Sequence, residues 1–160
     1  MASHSYMKIT GEKMGLISAG CSTQDSIGNK CQVGHTDQIL VLALNHTMTS
    51  FSNVSHAVHN PILIHKPLDK STPLLAQALA DREALSCEID LYRTFGAEQQ
   101  RYFSLLLKGA RIVGITVDIP EVLMFHDAQP VEQVMLRYES ITWKHHAAST
   151  SGFAFWGLED

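Results

Sequence analysis

The sequence predicts a mainly β protein: an antiparallel barrel made of two sheets, closed or nearly closed, with one covering α-helix and one long extended loop. Three observations predict it. First, apolar and polar residues alternate over long runs: Leu85, Cys87, Ile89 and Leu91 against Ser86, Glu88, Asp90 and Tyr92, then Phe103, Leu105 and Leu107, then Val134, Leu136 and Tyr138. A period of two marks a strand with one buried face. Second, the phase slips inside two of these runs, near Gly109 and at Glu139–Ser140, as β-bulges that bend long strands would make it slip. Third, only one segment has helical spacing. Seven or so strands with one helix favour closure, because a closed sheet has no exposed edges.

Ser5 to Thr10 alternates Tyr6 and Lys8 with Met7 and Ile9 and reads as the first strand. Gly11 to Asp37 then carries five glycines and no sustained period, so it is the long loop. Connections of this length that lack structure are usually functional or disordered. Its Leu16, Ile17, Ile27 and Val33 argue against disorder, and they are the candidate subunit-interface residues. Gln38 to Met48 is apolar on both faces at first, through Ile39 to Leu44, as in a strand covered on each side. Ser50 to His59 is a polar connection.

The stretch from His59 to Leu79 is locally the most decisive. Pro61 has no N–H for a ladder and can only start a strand or sit on its edge, and Ile62 to Ile64 follow as a short apolar strand. Asp69 and Ser71 supply turn chemistry, and Thr72-Pro73 reads as an N-cap followed by proline at the first helical position. Leu74, Leu75, Ala78 and Leu79 then form one apolar face of a helix, with Gln77, Asp81 and Arg82 opposite. Beyond it, Ala84 to Phe95 and Gln100 to Val117 form a hairpin closed at Gly96-Ala97. Pro120 to Gln129 is a loop, Val131 to His145 the last long strand, and Thr150 to Trp156 one further strand.

At 160 residues the chain suits a single domain spanning 1–160. A net charge of −4 gives no basic field for nucleic acid or anionic lipid. The first twenty residues lack the hydrophobic run of a signal peptide, so synthesis in the cytoplasm is expected, and no apolar run is long enough for membrane insertion. Three cysteines, Cys21, Cys31 and Cys87, read as reduced thiols. Cys87, in phase with Ile89, reads as core; Cys21 and Cys31 are the thiols expected to be accessible.

No catalytic, cofactor-binding or metal-ligating residue is assigned. His56-x-x-His59 and His145-His146 lack the spacing of zinc sites. His65 reads as a partly buried polar residue beside Lys66. Glu88 and Asp90 share the outward face of one strand, which is a solvated or interfacial pattern rather than two carboxylates across a cleft. Neither a nucleophile elbow nor a phosphate loop is present.

The Glu132 to Trp143 stretch, EQVMLRYESITW, resembles a strand of the haemolysin-coregulated proteins (Hcp) of bacterial type VI secretion systems. HNPILIHKPLDKSTPLLAQAL at 59–79, GLISAGCSTQDSIGN at 15–29, DAQPVEQV at 127–134 and the Thr150 to Trp156 tail are similar to further parts of the same family. The chain departs from the pattern at Cys31 and Thr36. The resemblance implies a structural role, not an enzyme: a subunit of the secretion inner tube that forms hexameric rings. The rings stack, are exported with the machine, and hold effector proteins in their lumen. It also implies sheath and VgrG-type spike proteins as partners, with no C-terminal toxin extension on this chain. The alternative is a lipocalin-like barrel binding a small apolar ligand, against which Phe103, Leu105, Leu107, Leu136 and Tyr138 are bulky enough to fill a narrow interior.

Overall fold

The computed structural model describes residues 4–28, 32, 34–53 and 55–157. In chain order its elements are β1 (Ser5–Gly11), β2 (Gly15–Leu16), α1 (Gln24–Ile27), β3 (Ile39–Val41), β4 (Ala43–Asn45), β5 (Met48–Thr49) and β6 (Val58–His59). They continue with β7 (Ile62–Pro67), α2 (Thr72–Asp81), β8 (Leu85–Phe95), β9 (Glu98–Asp118), β10 (Val131–Arg137), β11 (Ser140–His145) and β12 (Thr150–Phe155).

β9 runs through both sheets. Its first part pairs with β8 from Phe95↔Glu98 to Leu85↔Ala110, around the expected Gly96-Ala97 turn. The same part pairs with β11 on its other edge, and Arg111 to Asp118 pairs with β10. Beyond β8 lie β1 and then β3. Beyond β10 lie β7 and then β4, while β12 pairs with β11. All these pairings are antiparallel. The predicted slip near Gly109 is present: the β8–β9 register shifts between Leu85 and Cys87, and Gly109 sits at φ 60°, where glycine avoids the Cβ clash.

The predicted closed barrel is corrected. β3 pairs with β1 and β4 with β7, but β3 and β4 are separated at Leu42, which donates its N–H to His65 O at 2.8 Å. The chain, not a continuous ladder, crosses from one sheet to the other. The same switch explains why only Ile39, Leu40 and Val41 are buried on both faces, whereas Leu42 and Ala43 are exposed. The slip expected at Glu139–Ser140 is present as the break between β10 and β11, and the β9–β10 register shifts once more at Met135/Leu136. Tyr138 and Glu139 interrupt the strand so that Tyr138 and Ile141 both turn inward.

α2 begins at Thr72 with Ser71, not Thr72, in the cap position. Asp69 organises the turn, accepting the Ser71 N–H at 2.9 Å while its own N–H donates to Thr72 Oγ1 at 3.1 Å. Leu75 and Ala78 are buried, but Leu74 is 37% exposed, so the docked face is narrower than the spacing predicts. One helix was expected; a second, the single turn α1, lies in the long loop and caps its Thr23 end with backbone bonds to Ser26 and Ile27. The polar connection at 50–59 is also partly structured, as β6 pairs with β5.

Met7, Ile9, Ile39, Ile62, Ile64, Leu75, Ile89, Leu107, Val134, Leu136 and Ile141 fill the space between the sheets. Leu105 and Tyr138 are buried with them, and Phe103 is half-buried, so bulky side chains occupy the interior that a ligand barrel would leave open. Among the described residues, no helix is long and apolar enough to cross a membrane.

Candidate assembly interface

The long loop folds back on its own chain. Ile17 is 1% exposed and donates its N–H to Ile9 O at 3.0 Å. Ser18 Oγ accepts the Ile9 N–H at 3.3 Å, and Asp37 accepts the Gly20 N–H at 2.9 Å. At the far end His35 stacks on Tyr6 at 3.9 Å, covering the outer face of β1. These bonds and contacts offset the entropy of ordering the segment. Of the four candidate interface residues, Ile17 packs in the chain's own core. Leu16 is exposed on β2, Ile27 is half-buried as the last residue of α1, and Val33 lies outside the described residues.

Cys21 was expected to be accessible and is not. It is buried, with its thiol 3.7 Å from Ile17 O, and burial, followed by the nearby Asp69 charge, pushes its pKa up to about 11. Burial pushes Cys87 up to about 12, and Cys31 lies outside the described residues. Both described thiols are held in the unreactive protonated form.

A buried ion cluster ties β7, the turn before α2 and β10 together. Lys66 Nζ lies 2.6 Å from Glu132 Oε2 and 3.1 Å from Asp69 Oδ1, with all three side chains fully buried. Lys66 also donates to Pro67 O at 3.1 Å and Thr72 Oγ1 at 3.3 Å, and Thr72 Oγ1 donates to Glu132 at 2.8 Å. The sequence reading missed this cluster. The available signal was phase: Glu132 falls on the same side of its strand as Val134 and Leu136.

The histidines separate by burial. His56 is exposed, but His59 is buried with Nδ1 2.6 Å from Tyr138 Oη, and His46 Nε2 lies 3.1 Å from the same oxygen. Burial lowers the pKa of both, and His59 lowers that of His46 further. His65 is half-buried on β7. Asp90, expected on an outward face, is buried because Ser104 Oγ donates to it at 2.5 Å from the facing strand and the loop covers neighbouring Tyr6. His146 Nε2 is 2.8 Å from that same hydroxyl. Ser104 is itself 1% exposed, so the trio satisfies buried polar groups and presents no accessible nucleophile. Among the described residues, no three His, Cys, Asp or Glu side chains converge as a metal site requires.

Part of what the chain presents to its surroundings is apolar surface. Ile119, Val122, Leu123, Met124 and Phe125 are all exposed in the loop between β9 and β10, as are Phe153 and Phe155 on β12. A cleft of about 910 Å³ lies where the end of α2 meets β9, β10 and the residues after β12, lined by Leu79, Arg82, Arg111, Val113, Arg137 and Trp156 among others. Exposed apolar surface on this scale marks interaction sites.

The family model for "Type VI secretion system effector, Hcp" matches residues 6–145. The chain belongs to the Hcp family. It is 40% identical to the major exported protein of Pseudomonas aeruginosa, over 98% of this chain and 96% of that one. An Hcp protein crystal structure superposes with a TM-score of 0.93 at 33% identity, covering 99% of this chain and 100% of that chain. The secreted protein Hcp3 from Pseudomonas aeruginosa gives a TM-score of 0.87 at 40% identity, covering 98% and 100%. An Hcp chain is a secreted protein of the type VI machine, and the antiparallel two-sheet frame with its docked helix is the Hcp fold.

Proposed function

We propose that this Hcp chain is a structural subunit of the type VI inner tube, assembling into hexameric rings that stack and are exported. The end-to-end match to secreted Hcp3 at 40% identity carries the reading. The large exposed apolar side chains support it, since an isolated subunit gains nothing from them and a self-assembling one buries them. The ring lumen holds effector proteins, and the sheath and VgrG-type spike of the same machine are the further partners. Leu16 and Ile27 of the 11–37 segment contribute to subunit contacts. Native mass measurement with electron microscopy tests the assembly: a six-chain ring is expected, and a monomer at high concentration would overturn it. Leu16→Glu should weaken the ring while leaving the subunit folded.

A further inference from the structure

The loop of residues 119–130 has a composition that matches one other place on the molecule. It exposes Leu123 at 79% and Met124 at 69%, alongside Val122 and Phe125. It carries Glu121 and Asp127 and contains no lysine or arginine. It is nevertheless shaped: the Met124 and Phe125 N–H groups donate to Glu121 O at 3.3 and 2.9 Å, and the Ala128 N–H to Phe125 O at 3.2 Å. An ordered, apolar, acidic projection of this kind needs an apolar, basic recess.

The cleft beside α2 is such a recess. Arg82, Arg111 and Arg137 line it against the single carboxylate of Glu139, and Leu79, Val113 and Trp156 supply apolar wall. Arg111 and Arg137 stand opposite one another in the β9–β10 register, which concentrates positive charge at one rim. Arg137 lies over the Trp156 ring at 5.1 Å, which keeps that wall ordered.

The loop does not fill the cleft of its own chain, since none of its residues lines it. Val113 in the cleft and Ile119 at the loop are joined by extended β9, and six residues of strand span roughly 20 Å. We infer that the 119–127 loop of one copy seats in the arginine-lined cleft of the next, apolar side chains inward, with Glu121 and Asp127 meeting the guanidinium groups. Loop and cleft are different surfaces, so the contact is heterologous and propagates around a ring. Charge complementarity between apolar patches fixes the register and opposes wrong pairings. The inference rests on the self-assembly proposed above and identifies surfaces that carry it.

Mixing two broken subunits tests it. Leu123→Asp with Phe125→Asp breaks the loop, and Arg82→Glu with Arg111→Glu breaks the cleft; Leu123→Ser with Phe125→Ser and Arg111→Gln are milder versions should either fail to fold by circular dichroism. Each variant alone should lose the ring peak in native mass measurement. Mixed one to one, the intact cleft of the first and the intact loop of the second should yield a heterodimer of two chains. If wild type forms rings and either variant does too, the loop–cleft contact is overturned and the ring reading stands. The same holds if both variants are monomeric and the mixture gives no heterodimer. A wild-type protein that never self-associates overturns the ring reading and this contact together.

Discussion

Lys66 is a full-length cation with no exposed surface, held between Glu132 and Asp69. Replacing a buried pair by well-packed apolar groups can be neutral, but removing one partner strands the other, at about 3–5 kcal/mol. Lys66→Met should therefore destabilise the subunit by about that amount in denaturant titration, and Lys66→Met with Glu132→Leu should recover part of the loss. A single variant as stable as wild type would show that the cluster contributes nothing. The pair at Tyr138 makes a different prediction. Burial lowers the pKa of His59 and His46, so below pH 6.5 the unfolded chain binds protons that the folded chain does not. Their contribution is complete above pH 6.5 and is lost as pH falls from 6.5 towards the folded-state pKa values. Melting temperature should drop between pH 7.5 and 5.5, and His46→Gln with His59→Gln should flatten that drop; an unchanged slope would remove these two residues as its source. The ion cluster left one sequence signal, the phase of Glu132 with Val134 and Leu136, whereas the histidine cluster left none. His56-x-x-His59 looked like a pair, yet the buried member meets His46 and Tyr138 across the fold, and partners that far apart in the chain have no fixed spacing.

At the scale of elements, local pattern served well where one face is buried and badly where covering comes from elsewhere. The β8–β9 hairpin and the bulge at Gly109 were legible because period, turn and glycine act over a few residues. Asp90 was misplaced because its cover comes from Ser104 on the facing strand. The long loop hid its one-turn helix because four residues of helix leave no period to detect. α2 supplies a contrast within a single turn. Leu75 is fully buried while adjacent Leu74 is 37% exposed. Leu75→Asp places a charge in the core and should cost several kcal/mol against a total stability of about 5–15, leaving the chain insoluble or unfolded at room temperature. Leu74→Asp should melt close to wild type. Equal effects from the two would mean that the helix docks through a different face.

For the whole subunit, the decisive feature is that β9 belongs to both sheets. Closure was overestimated from sequence because strand count and bulges require bent sheets but do not say whether the last gap is bridged by a ladder or, as at Leu42, by the chain crossing between them. With β9 shared, neither sheet can be lost while the other persists, since the residues before Ala110 pair with β8 and β11 and those after it with β10. Unfolding should then be a single transition, with far-UV circular dichroism and tryptophan fluorescence giving one midpoint at fixed protein concentration. Gly109 is the joint. At φ 60° a β-branched residue is strained by about 1–3 kcal/mol, and an added Cβ would also meet the Glu139 side chain. Gly109→Val should lower both midpoints together. Midpoints that separate, in either protein, would show that the two sheets fold independently and that β9 does not couple them.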